Sequence, residues 1–108
     1  MSFTTGTALL DAVVLAVVSG ETEGTYGYKI TQDVRSIMDV SESTLYPVLR
    51  RLQKDGCLET YDREYAGRNR RYYKITPNGM IQLDEYRREW LTYRKDIEGI
   101  LFGKGELE

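Results

Sequence analysis

Apolar residues recur along this chain in three rhythms, and each predicts a different kind of element. The first is nearly continuous: Thr7 to Ser19, TALLDAVVLAVVS, is apolar on almost every side. Its valines would also suit a buried strand, so periodicity alone does not decide. Its length, the Ala8-Leu9-Leu10 start and the stop at Gly20 favour a helix. A helix apolar all round has to be covered. One small domain can hardly do so alone, which points to a partner chain.

The second rhythm is helical. After a polar linker from Glu21 to Thr25, the stretch Tyr26 to Met38 sets Ile30, Val34, Ile37 and Met38 on one face, with Thr25 placed to cap its start. In Ser41 to Gly56, SESTLYPVLRRLQKDG, Leu45, Val48, Leu49 and Leu52 follow the i, i+3, i+4, i+7 spacing of an inward face. Asp39-Val40 joins the two helices, and so short a link fits a helix-turn-helix. Ser41 or Ser43 is the N-cap; Pro47 lacks an N–H, so the helix begins near Ser43 or bends there, and Gly56 ends it. A last helix starts at Thr76-Pro77 and runs to about Phe102. In it Leu83, Tyr86, Trp90, Tyr93, Ile97 and Ile100 step by three and four, a heptad seam that wants another helix along its length. The same helix, or the first helix, of a second copy would serve, so a two-fold dimer is expected.

The third rhythm alternates. Cys57 to Tyr65 and Arg70 to Thr76 are rich in Tyr, Thr, Leu and Ile, as strands are, with Ala66-Gly67-Arg68-Asn69 as the hairpin loop between them. Arg71, Tyr73 and Ile75 share one face of the second strand, and Tyr73 and Ile75 are expected against the helices; Arg70, Tyr72, Lys74 and Thr76 share the other. The predicted fold is mainly α with a small β-hairpin (α+β), a winged helix-turn-helix with a C-terminal dimerisation helix. One domain covers 1–108: the N-terminal helix and winged helix-turn-helix occupy 1–76, and the dimerisation helix 77–108. Proteins of this layout read the major groove with the N-terminal part of the second helix of the motif.

Composition narrows the function classes. With 41% hydrophobic and 30% charged residues the chain has the make-up of a globular protein. No window of about 18 apolar residues exists, and the run Ala12 to Val18 lacks a basic start and a cleavage site; a cytoplasmic protein is expected. The single Cys57 and the absence of histidine remove an internal disulfide, the commonest general base and the commonest metal ligand. No acidic spacing resembles a calcium loop, so no catalytic constellation, metal or cofactor is expected, and the chain does not read as an enzyme. The net charge of −2 is unevenly spread. Residues 1–40 carry two basic against five acidic side chains, residues 41–76 eight against five, and residues 77–108 five against seven. The reading helix and hairpin therefore hold the positive charge, a local footprint suited to phosphate.

Three runs carry a family resemblance: Tyr26-Gly27-Tyr28-Lys29-Ile30, Ser43-Thr44-Leu45-Tyr46-Pro47-Val48-Leu49-Arg50-Arg51-Leu52, and Gly67-Arg68-Asn69-Arg70-Arg71-Tyr72-Tyr73-Lys74-Ile75-Thr76, followed by Gly79 and Trp90. In order and spacing they resemble the PadR family of bacterial winged-helix transcriptional regulators, in its compact branch with a short C-terminal region. The resemblance implies a homodimer in which the last helix packs with the partner's first. It also implies repression of stress, detoxification or efflux genes, relieved by a small molecule. It carries DNA contact onto Ser43, Thr44, Tyr46, Arg50, Arg51 and the wing residues Arg68, Asn69 and Arg70. Lys54, on the same basic flank, joins them. The residue chemistry agrees, because a helix N-terminus favours phosphate and arginine forks onto guanine or enters the minor groove.

Each assignment has a plainer counterpart. Ser43 and Thr44 can cap, the Tyr46 ring can be buried, and Arg50, Arg51 and Lys54 can form a solvated face. Arg71 is expected to brace its strand against Glu64 or Asp62 rather than contact DNA. Trp90 is either dimer-core packing or, with its symmetry mate, the wall of a pocket for a planar apolar small-molecule inducer, with Tyr86, Tyr93, Leu9, Val13 and Met80 as neighbours. Cys57 reads as a small buried residue; a thiol switch is the lesser alternative. The expected function is a sequence-specific DNA-binding transcriptional regulator, a homodimeric repressor on a palindromic double-stranded operator, relieved by a small-molecule ligand. The alternative is a winged-helix protein-interaction module that does not bind DNA.

Overall fold

The computed structural model describes residues 6–103, so residues 1–5 and 104–108 of the expected domain lie outside the described residues. Its elements are α1 (Gly6–Ser19), β1 (Thr25–Tyr26), α2 (Gly27–Arg35), α3 (Glu42–Lys54), β2 (Leu58–Tyr65), β3 (Arg68–Ile75) and α4 (Pro77–Phe102). The three strands form one antiparallel sheet in the order β1-β3-β2. This is the expected α+β winged helix. Among the described residues no helix is long and apolar enough to cross a membrane.

The core gathers Val14, Leu15 and Val18 of α1, Ile30 and Val34 of α2, Leu45, Leu49 and Leu52 of α3, Leu58 of β2 and Leu83 of α4. Helix α3 is fixed at both ends. Ser41 is its N-cap, accepting from the Thr44 N–H at 3.3 Å. At the other end Gly56 takes a positive φ of 79°, and the Cys57 and Gly56 N–H groups return to the Leu52 and Gln53 carbonyls, the hydrogen-bond pair of a Schellman stop. Pro47 is not at the start: it lies inside α3, where it removes the bond the Ser43 carbonyl would otherwise accept.

Three local expectations are corrected. Thr25 does not cap α2; it pairs with Tyr73 as part of β1, and Tyr26, paired with Tyr72, is the N-cap without a side-chain bond. Helix α2 ends at Arg35, and the turn that follows leaves Ile37 70% exposed while Met38 still packs on the core. The hairpin loop is two residues, not four. Ala66 and Gly67 both have positive φ, at 52° and 79°, the backbone of a type I′ turn, so Arg68 and Asn69 pair with Tyr65 and Glu64 inside the ladder.

The sheet buries both tyrosines of its central strand for different reasons. Tyr73 turns to the core. Tyr72 faces outward with Tyr61 and Tyr26, and is covered by their rings, stacked at 5.6 Å and edge-on at 5.7 Å.

Helix α4 is docked by its first turns. The Thr76 hydroxyl donates to the Gly56 carbonyl at 2.6 Å and accepts from the Gly79 N–H at 2.9 Å. Gly79 lies so close to the Cys57 carbonyl that any Cβ there would collide with it and with Ile75. Burial pushes the Cys57 thiol up from its ordinary value, away from thiolate chemistry. Past Tyr86 the helix runs on with Leu91, Ile100, Leu101 and Phe102 exposed.

One polar contact crosses this core. Asp11, only 3% exposed in the apolar α1, receives both arms of Arg51 from α3, at 2.8 and 2.6 Å, and lies 3.5 Å from the Tyr86 hydroxyl of α4. Burial, then the Asp11 charge, push the Tyr86 phenol up to about 12. A phenol held neutral in the fold supports stability below its unfolded value near 10 and loses that support as pH rises towards 12. Alkaline titration followed by circular dichroism should show stability falling between pH 10 and 12, and Tyr86→Phe should flatten that limb.

Candidate nucleic-acid interface

Because Leu45, Val48, Leu49 and Leu52 turn inward, the opposite stripe of α3 is set outward. Ser43, Pro47, Arg50 and Lys54 follow one another along it and are all exposed. At its N-terminal end Ser41, Ser43 and Thr44 share a hydroxyl cluster, with Ser41 Oγ 2.9 Å from Ser43 Oγ and 3.1 Å from Thr44 Oγ1. Ser41 does the capping, so the hydroxyls of Ser43 and Thr44 remain at the surface. Glu42 puts an acid into the first turn. It suits the helix dipole and disfavours phosphate at the very tip, leaving the basic Arg50 and Lys54 end as the electropositive part of the stripe.

Tyr46 is half-buried, its ring lying where a side chain on Gly27 would stand. With Tyr28, Asn69, Arg70 and Arg71 it lines a groove of about 630 Å³ between the start of α2 and the wing. The structure thus brings Tyr46, Asn69 and Arg70 to one hollow, with Ser43 and Thr44 on the neighbouring turn of α3. Arg68 and Asn69 are exposed on the hairpin. Arg71 lies 4.0 Å from Asp62 across the ladder, the bracing partner expected of it.

Arg51, expected at DNA, is engaged within the fold. Its guanidinium is spent on Asp11 in a cleft lined by Asp55, Cys57, Gln82 and Glu85, between α3 and α4. Consecutive residues on a helix point about 100° apart, so Arg50 and Arg51 sit on different flanks of α3. Spacing alone could have separated them; what it could not supply was the acid forty residues away.

Sequence reasoning missed the rings around the wing arginines. The Arg70 guanidinium lies 4.0 Å from the Tyr26 ring centroid and 3.7 Å from that of Tyr65; Arg63 lies 4.9 Å from that of Tyr72. The period-two alternation of β2 and β3 was the available signal, since Tyr61, Arg63, Tyr65, Arg68, Arg70 and Tyr72 all share the outer face.

A second hollow of about 280 Å³ runs between α1 and α4. Leu9, Ala12, Val13, Ala16, Leu83, Tyr86 and Trp90 line it, with Arg87 as its charged rim. Four of the expected pocket residues therefore meet there. The fifth, Tyr93, stands with its ring 6.3 Å from that of Trp90, while Met80 lies outside the lining.

Comparison with known proteins places this geometry among regulators. The family model described as the transcriptional regulator PadR-like family matches residues 14–85. A transcriptional regulator of Mycobacterium tuberculosis is 40% identical over 75 residues, 68% of this chain and 70% of that one. Among solved structures, a Streptococcus mutans protein is 40% identical with a TM-score of 0.83 over 95% of each chain. A PadR-like transcriptional regulator from Bacillus cereus is 30% identical with a TM-score of 0.78, covering 89% of this chain and 94% of that one.

Proposed function

The chain belongs to the PadR-like family of transcriptional regulators, and from that premise we propose that it binds a palindromic DNA operator as a homodimer. Members of this family are regulators, not enzymes. The observation that carries the reading is the joint exposure of the α3 stripe and the basic hairpin in the one segment, 41–76, whose charge is net positive. Ser43, Thr44 and Tyr46 face the base edges, Arg50 and Lys54 take phosphates, and Arg68, Asn69 and Arg70 of the wing reach the adjoining backbone or minor groove. Arg51 holds the reading helix to α1 instead. The output is repression, exercised in the cytoplasm, where the DNA is.

The apolar hollow between α1 and α4, with the bare apolar side chains of distal α4, supports the dimer seam. Helix α4 is then the dimerisation element that spaces two reading helices about one turn of DNA apart. Where the two copies meet, Trp90 and its symmetry mate flank a site for a planar apolar inducer.

Two measurements test this. Affinity for the fragment upstream of its own gene should fall steeply with salt, with a log–log slope of roughly −0.9 per phosphate neutralised. Arg68→Ala and Arg70→Ala should each weaken binding and flatten that slope by about one contact, with the dimer intact. A flat salt response would leave the protein-interaction reading standing. For the ligand site, titration with planar cationic dyes should quench Trp90 fluorescence; no quenching by any of them removes the pocket.

A further inference from the structure

We infer that Tyr65, with Tyr26, is a positioning residue for Arg70: the two rings hold the guanidinium in the plane in which it meets DNA phosphate. The inference rests on the proposed DNA-binding reading and adds residues that make no DNA contact themselves. Tyr65 ends β2 immediately before the Ala66-Gly67 turn and is 56% exposed, so the hydrophobic core does not require it. Its ring nevertheless covers Arg70, with the guanidinium carbon 3.7 Å from the ring centroid, and Tyr26 covers Arg70 at 4.0 Å. Ring contacts occupy the flat faces of a guanidinium. Its N–H donors lie in the plane, at the edges; the Tyr72 hydroxyl takes up part of that edge, and the remaining donors can meet an oxyanion.

The ladder gives a second reason for the clamp. Arg63 and Arg70 are direct cross-strand partners, and like charges so placed repel. Neither has a carboxylate partner among the described residues. Each is held on tyrosine faces instead, Arg63 over Tyr72 and Tyr61 and Arg70 over Tyr26 and Tyr65. An arginine kept without an acid and with its rotamer fixed loses little freedom when phosphate arrives. Preorganisation of one long side chain is worth roughly three- to tenfold in affinity.

The test is a double-mutant cycle on a mixed-sequence DNA duplex at low salt. Tyr65→Ala is expected to weaken binding roughly three- to tenfold with the salt slope unchanged, because no charge is lost. Tyr65→Phe should restore wild-type affinity, since the ring and not the hydroxyl does the holding. In the Arg70→Ala background Tyr65→Ala should have no further effect. Additive losses would make Tyr65 a DNA contact or a structural residue and overturn the inference. So would wild-type binding by Tyr65→Ala alongside weakened Arg70→Ala. If Arg70→Ala itself binds normally, the wing reading fails, and the inference with it.

Discussion

Arg51→Ala should destabilise the fold by about 2–4 kcal/mol, the cost of breaking a buried pair reduced because its guanidinium is partly solvated. The direction follows from an asymmetry in burial. The Asp11 side chain is 4% exposed and that of Arg51 40%. Removing the arginine strands a carboxylate inside an apolar helix bundle, where Tyr86 at 3.5 Å is a weak remaining partner. Removing the acid leaves a guanidinium that can turn to water, so Asp11→Ala should cost only about 1–3 kcal/mol. Replacing both with apolar residues of similar size, Asp11→Leu with Arg51→Met, should recover much of the loss, because the pair's attraction mainly offsets its own desolvation. Urea unfolding of the three variants orders the costs. Equal costs for the two single variants would refute the asymmetry. DNA binding by Arg51→Ala, measured across salt concentrations, separates the two roles considered for Arg51. A phosphate contact predicts a flatter salt slope for DNA binding in Arg51→Ala, whereas the bracing role predicts an unchanged slope for the fraction still folded.

What could be read from the sequence was whatever one element decides alone. The inward stripe of α3, its Ser41 cap and Gly56 stop, the hairpin and the Thr76-Pro77 start of α4 all rest on local chemistry, and all are present. The errors arose where distant residues decide. Thr25 has the chemistry of a helix cap, yet the hydrogen-bonding edge of β3 draws it into a two-residue strand that nothing nearby announces. Ile37 fits the helical phase of α2, but the phase ends when the chain turns after Arg35. Arg68 and Asn69 look like loop residues until Ala66 accepts a positive φ and lets the turn close in two. Arg51 and the ring-held Arg70 show the same limit at the interface: a charge can be counted from sequence, but its partner is set by packing. Leu9, Val13, Tyr86 and Trp90 do line one hollow, since α1 and α4 each announce one apolar face, and two such faces in so small a chain have few places to go.

Ala16→Glu should separate the roles of seam and reading head, with the larger effect on DNA. Ala16 is exposed on α1 and lines the apolar hollow facing Tyr86 and Trp90. A carboxylate there is solvated in the monomer, so the fold should keep its thermal midpoint. In the proposed dimer the partner's α4 would cover the hollow, and the same carboxylate would be buried without a cation or be forced out. The expected result is a monomer by sedimentation. Two half-site contacts joined through one dimer reinforce each other by effective concentration, typically by 10²- to 10⁴-fold. Affinity for the two-half-site fragment should therefore fall by roughly that factor, while binding to a single half-site stays near wild type and keeps its salt slope. A variant that stays dimeric would put the seam elsewhere. A monomer that binds the whole operator undiminished would show that pairing along α4 does not space the reading helices.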